Sequence, residues 1–167
     1  ALRQLPVPTV CAVNGVAAGA GANLALACDM VLAAKSASFV QAFGRIGLIP
    51  DSGGTYVLPQ LLGMARALGL AFTGDKLAAE QAAAWGLIWQ CVDDAELMPA
   101  AERLAAGLAA APTLGLVATR RAMHAAAGHS LEQQLDLERD LQRELGYSAD
   151  YREGVAAFMA KRPPKFT

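Results

Sequence analysis

The chain has no surplus of either charge: fourteen Lys and Arg stand against fifteen Asp and Glu, a formal charge of −1. A surface matched to a phosphate backbone needs a basic excess, so nucleic acid is excluded as an expected partner. Cysteine is scarce as well. Cys11, Cys28 and Cys91 are odd in number, lie in hydrophobic surroundings and show no CxxC spacing, which argues against a disulfide framework or a metal site and fits a reducing cytoplasm. No apolar run reaches the roughly 20 residues of a membrane-spanning helix, and the longest, residues 104–118, is interrupted by Pro112, so no membrane partner is expected. The sequence opens on neither a secretory pattern nor an initiating Met, so Ala1 is not expected to be the native start. Apolar residues, by contrast, make up 54% of 167, enough for one domain with a real core and too many for a disordered chain.

Residues 9–13 form a short β-prone run ending at Asn14-Gly15, and residues 29–33 form a second of strand length. Between them, residues 15–21 read as a glycine loop and residues 22–28 as a helix. Strand, loop, helix and strand in that order belong to a parallel α/β layer. Residues 38–40 suggest a third strand. Beyond Asp51 the pattern turns helical over residues 56–62, 65–72 and 78–85, each stretch stopped by a glycine, and residues 88–92 read as a further strand. From Asp94 onward the alanine-rich sequence is helix after helix, broken at Pro112, Gly128 and Gly146, with Ser130 and Ser148 as N-caps. Leu131, Leu135, Leu137, Leu141 and Leu145 occupy more than one stripe of their helix, as they would in an internal helix or at a subunit interface.

The segment Arg45-Ile46-Gly47-Leu48-Ile49-Pro50-Asp51-Ser52-Gly53-Gly54-Thr55 sets one carboxylate among apolar residues at a Pro-led turn. A carboxylate flanked by Ile46, Leu48 and Ile49 can lose water on folding, which raises its pKa toward the range of a general base. The same residue is placed to cap a helix, accepting the N–H of Gly53 or Gly54. Upstream, Gly19-Ala20-Gly21 stands where a helix begins, and unpaired N–H groups there form a donor pocket for an anion or a developing oxyanion. The spacing fails the dinucleotide fingerprint, with Leu24 at its last position, and it lacks the Lys-Ser/Thr pair of a nucleoside-triphosphate loop.

Pro8, Asn14-Gly15, Ala17, Gly19-Ala20-Gly21, Leu24-Ala25 and Cys28-Asp29, followed by Gly47-Leu48-Ile49-Pro50 and Gly53-Gly54-Thr55, together resemble the enoyl-CoA hydratase/isomerase, or crotonase, superfamily. The likeness runs on through Leu70-Ala71-Phe72-Thr73-Gly74-Asp75 and Gly86-Leu87-Ile88 to Arg152-Glu153-Gly154. Within it, Asp51-Ser52-Gly53-Gly54, Trp85-Gly86-Leu87-Ile88-Trp89-Gln90 and Gln134-Leu135-Asp136-Leu137 resemble the phenylacetate-degradation branch, which isomerises ring-1,2-epoxyphenylacetyl-CoA. The resemblance implies an α/β fold, a ClpP/crotonase-like spiral of ββα turns over residues 1–95, with a helical trimerisation region over residues 96–167. It also implies that the N-terminal part of the core is absent from this chain. A cytoplasmic homotrimer or dimer of trimers follows, with an acyl-CoA thioester as substrate and no cofactor, since coenzyme A is part of that substrate.

Carried over by position, one oxyanion donor falls to the Ala20 N–H, with Gly19 and Gly21 beside it. Hydratases of the family use two glutamates at the places that Asn23 and Phe43 hold here. A neutral amide and a phenyl ring cannot share proton work with water, so hydration is disfavoured and isomerisation is expected, with Asp51 as the single acid/base. The expected reaction shifts a double bond or opens a ring epoxide to an oxepin, in aerobic phenylacetate catabolism. Asn23, Phe43 and Ile49 are expected in the substrate pocket, although Asn23 also suits a backbone-satisfying role, and Phe43 and Phe39 suit the core. Lys161 reads either as a contact to the CoA phosphates of a neighbouring subunit or as a solvated tail. Asp29 is expected to be structural, and His124 and His129 to lie at the surface or near helix ends. Two rival readings are a hydratase with altered catalysts and a catalytically silent CoA-binding or assembly subunit; the second predicts that Asp51 caps its helix and faces no cavity, whereas the isomerase reading puts its carboxylate in a pocket near the Ala20 N–H.

Overall fold

The computed structural model describes residues 2–167, which fall into two compact units, the first mainly Thr9–Leu104 and the second Gln4–Pro8 with Ala105–Thr167. The first unit runs β1 (Val10–Val13), β2 (Val16–Ala18), α1 (Ala20–Ala25), β3 (Met30–Ala34), β4 (Ser38–Val40), α2 (Gly54–Leu62), α3 (Met64–Thr73), β5 (Lys76–Ala78), α4 (Ala79–Ala84) and β6 (Gln90–Val92). Neighbouring strands do not form hairpins. β1 pairs in parallel with β3, and β2 in parallel with β4, so each strand–corner–strand–helix turn lies against the next. Two three-stranded sheets result, β1-β3-β6 all parallel, and β2-β4-β5 with β5 antiparallel to β4. This is the α/β spiral of ββα turns expected from the resemblance.

The Met-Val-Leu-Ala-Ala sequence of β3 has no polar position because the strand is central and covered on both faces: Val31 through Ala34 are all buried. Alanine lets the helices come close. Ala22 of α1 and Ala79 and Ala82 of α4 are fully buried around Leu32, Phe39 and Leu58.

Two elements differ from the expectation. Residues 16–18 are a strand rather than a loop, and α1 starts at Ala20 rather than residue 22. Local propensity for β2 is weak, and its hydrogen-bonded partner β4 supplies the stability instead. The short β5 was not anticipated either. It follows the left-handed Gly74 that ends α3, and it is defined by the pairing of Leu77 with Phe39.

A fifth helix, α5 (Leu97–Ala109), starts in the first unit, and α6 (Thr113–Ala126), α7 (Leu131–Leu145) and α8 (Ala149–Met159) belong to the second. Both expected serine caps are present: Ser130 forms a reciprocal capping box with Gln133, and the Ser148 hydroxyl accepts the Tyr151 N–H at 3.0 Å. On α7 Leu141 is buried, but Leu131 and Leu135 stand 70% and 54% exposed, so the unit covers the leucine stripes on one side only. The segment after α8 folds back along it. Arg162 grips Glu153 through two bonds of 2.6 and 2.9 Å, the Lys165 N–H donates to the same carboxylate, and the Thr167 N–H donates to the buried Asp150 at 3.1 Å. Among the described residues no helix is long and apolar enough to cross a membrane.

Two measurements follow. Leu32, 1% exposed, has no room to be replaced by solvent, so Leu32→Ala is expected to cost about 2–5 kcal/mol in urea unfolding. The Arg162 and Lys165 bonds hold the Glu153 carboxyl down to about 2 from its ordinary 4.5. A depressed carboxylate stabilises the fold above its unfolded pKa and loses that contribution as pH falls through the folded value, so the fold-back weakens between these limits. Titration by NMR is expected to show the Arg162 and Lys165 signals moving in that window, and Glu153→Gln is expected to abolish the shift.

Candidate active site

The turn carrying Asp51 is built from left-handed residues. The Asp51 carbonyl accepts the Gly54 N–H at 2.7 Å, and both residues between them, Ser52 (φ 49°) and Gly53 (φ 88°), have positive φ, as in a type I′ turn. Gly53 is the N-cap of α2, and no side chain caps that helix. The capping role open to Asp51 is therefore not the one it takes. The burial expected for Asp51 is not found either. Its side chain is exposed, and Ile46 at the end of a short 3-10 helix (Ala42–Ile46), Leu48 and Ile49 stand 71%, 60% and 76% exposed. Asp51 makes no side-chain hydrogen bond or ion pair with any described residue.

The buried polar group at this place is Asn23 on α1, 2% exposed. Its Nδ2 donates to the Asp51 carbonyl at 2.9 Å, and its Oδ1 accepts from Gln41 Nε2 at 2.9 Å. Gly54 makes room for it. A Cβ added at Gly54 would fall 2.4 Å from Asn23 Nδ2, so the first residue of α2 must be glycine for the amide to reach the turn. Of the two roles open to Asn23, the structure shows the backbone-satisfying one.

Gly19, at φ 53° and ψ −125°, converts β2 into α1, and its own N–H donates to the Val40 carbonyl at 2.8 Å. A side chain there would be strained, and it would also meet Phe43, whose ring lies 3.5 Å from the position of a Gly19 Cβ. Phe43 is buried at 8% and Phe39 at 3%, so both serve packing here. The first bond within α1 runs from the Asn23 N–H to the Gly19 carbonyl, which leaves the N–H groups at Ala20 and Gly21 ahead of the helical ladder. Asn23 lies one helical turn beyond Ala20, and its bond to the Asp51 carbonyl ties the carboxylate-bearing turn to α1.

The other candidates lie elsewhere. Lys161, in the second unit, follows α8 at φ 51° and is exposed. Asp29 accepts both the N–H and the hydroxyl of Thr9, at 2.8 and 3.0 Å, a link between chain segments. The three thiols are free, and burial together with Cys28 pushes the Cys11 thiol up to about 11. His129 Nδ1 lies 3.1 Å from Gln134 Oε1, and among the described residues no group of His, Cys, Asp and Glu is arranged to hold a metal. Gln41 was not singled out in the sequence. The available signal was a lone amide inside Phe39-Val40-Gln41-Ala42-Phe43, a polar residue with no polar neighbour.

The model of the family described as enoyl-CoA hydratase/isomerase matches residues 1–167. The chain is 60% identical over 166 residues to the 1,2-epoxyphenylacetyl-CoA isomerase of Escherichia coli (strain K12), covering 99% of this chain and 63% of that protein. It is 54% identical to a probable enoyl-CoA hydratase of Rhodobacter capsulatus, covering 100% and 65%. The crystal structure of a putative enoyl-CoA hydratase/isomerase from Mycobacterium abscessus superposes with a TM-score of 0.96 at 37% identity, covering 99% of this chain and 64% of that one. The chain thus spans slightly less than two thirds of the length of these relatives.

Gly54→Ala tests the packing of the site. Alanine ordinarily stabilises a helix by about 0.5–1 kcal/mol over glycine, but here the added methyl meets Asn23 and is expected to cost about 1–3 kcal/mol in chemical denaturation. In an Asn23→Ala background the same substitution is expected to cost nothing, because the obstructing amide is gone.

Proposed function

Since the chain belongs to the enoyl-CoA hydratase/isomerase family, we propose that the protein is an acyl-CoA isomerase with one oxyanion-holding helix end and one acid/base, Asp51. The thioester oxygen takes the Ala20 N–H, flanked by Gly19 and Gly21. Polarising that carbonyl acidifies the hydrogens on the carbons beside and beyond it, and the negative charge that forms when one leaves is held at the oxygen. Asp51 removes a proton from one carbon and returns it to another. The double bond moves, and the carboxylate ends as it began.

The observation that carries this reading is an unengaged, exposed carboxylate on a turn whose carbonyl is bonded to Asn23 of α1, in a segment that also exposes Ile46, Leu48 and Ile49. An acyl chain laid over those side chains removes water from Asp51, so the substrate supplies the desolvation that the fold does not. Ile49 then meets the acyl group directly, while the buried Phe43 and Asn23 contribute through packing beside Gly19 and through the bond to the Asp51 carbonyl. Hydration needs a second group to manage water. Asn23 and Phe43 are uncharged and buried, which favours isomerisation. The identity to the E. coli epoxyphenylacetyl-CoA isomerase supports an aromatic acyl group and the opening of a ring epoxide to an oxepin in phenylacetate catabolism. Hydratase activity is the second reading, favoured by the similarity to the R. capsulatus protein.

Coenzyme A enters as part of the substrate, with no separate cofactor. The exposed Leu131, Leu135, Phe158 and Met159 supply apolar surface for a homotrimer or a pair of trimers, in which Lys161 reaches the CoA phosphates of a neighbour. Three free thiols suit a cytoplasmic setting.

The test is conversion of a 3-enoyl-CoA to its 2-enoyl isomer by the native enzyme and by Asp51→Asn. Loss of about 100-fold or more in kcat is the expected result. Equal rates would remove Asp51 as the base, and accumulation of a 3-hydroxyacyl-CoA would favour the hydratase.

A further inference from the structure

We infer that Gln41 and Asn23 are positioning residues that aim the Asp51 turn at the substrate held on α1, a role that rests on the isomerase reading of Asp51. The two side chains form one directed line. Gln41 Nε2 donates to Asn23 Oδ1, and this fixes which end of the Asn23 amide faces the turn, so that Nδ2 donates to the Asp51 carbonyl. Were the amide reversed, two oxygens would face each other at the Asp51 carbonyl. Gln41 is therefore the residue that sets the polarity of the line, and Asn23 the one that transmits it.

Stability alone gives a poor account of this arrangement. Gln41 is 3% exposed, and its Oε1 is buried without a hydrogen-bond partner among the described residues, a penalty that an apolar side chain would avoid. Gly54 must also lack a side chain to admit Asn23. What these costs sustain is a fixed separation between the N-terminus of α1 and the turn that follows Pro50. The Asp51 side chain has no hydrogen bond or ion pair with any described residue, and Ser52 beside it adopts a left-handed conformation that non-glycine residues rarely take. Its backbone carbonyl is the point at which α1 grips it. A displacement of about 1 Å between base and substrate is enough to cost on the order of 100-fold in rate.

The test uses two variants of unchanged size in the native enzyme, each with and without Asp51→Asn. Gln41→Glu replaces the donor by an acceptor and turns the Asn23 amide away from the carbonyl. Asn23→Asp still accepts from Gln41 but has no donor for Asp51. Each is expected to lower kcat for the 3-enoyl-CoA by about 10-fold to 100-fold with KM changed less than about threefold, at equal folded fraction by circular dichroism. In the Asp51→Asn background both are expected to be nearly silent, because they act through Asp51. If either fails to fold, Gly54→Ala displaces Asn23 without altering a polar group and is expected to show the same pattern. Wild-type kcat in Gln41→Glu and Asn23→Asp, with Asp51→Asn slow, would overturn this inference alone, as would full additivity with Asp51→Asn. A fast Asp51→Asn would instead end the base assignment.

Discussion

One hydrogen bond, from the Asn23 amide to the Asp51 carbonyl, sets the geometry on which the proposed chemistry depends. It joins two pieces of backbone that have little else in common: the first turn of a six-residue helix and an irregular segment with exposed apolar side chains. Because Asn23 is buried, its amide has no ready access to water and is costly to leave without a partner. Several residues then become requirements of that contact. Gly54 must be small, Gln41 must donate, and Gly19 must be left-handed so that α1 starts where it does.

The spiral explains why so short a helix can serve as an anchor. The strands are three to five residues long and would be marginal alone, but each pairs with its counterpart one turn along the chain. β3 is enclosed on both faces, and alanines at 0% exposure let α1 and α4 approach the sheets closely. The position of Ala20 is thus set by the Gly19 N–H on Val40 and by Ala22 in the core, rather than by helix propensity. The second unit is stabilised differently, by serine caps and by ion pairs such as Arg162 with Glu153, and much of its apolar surface stays open.

Much of this was legible in the residues. The apolar runs gave β1, β3 and β4, glycines marked the ends of α2 and α3, and Ser130 and Ser148 were read correctly as caps, because each of these signals is local. β2 and β5 were not legible, since three-residue strands draw their stability from a partner more than twenty residues away in the case of β2 and β4. The exposure of Asp51 was misread for a related reason. Apolar neighbours in sequence shield a carboxylate only if the fold turns them toward it, and Ile46, Leu48 and Ile49 point outward. Gln41 escaped notice because a single amide after a strand resembles an ordinary surface residue. Its meaning comes entirely from Asn23, eighteen positions away.

The central claim is that the Ala20 N–H and the Asp51 carboxylate face the same bound thioester. A crystal structure of the native enzyme with an unreactive saturated acyl-CoA tests it most directly. The account requires the thioester oxygen about 2.7–3.1 Å from the Ala20 nitrogen, with the Asp51 carboxylate against the acyl carbons beside that carbonyl. A thioester bound away from α1, or an Asp51 side chain still directed into open solvent with the ligand in place, would contradict it.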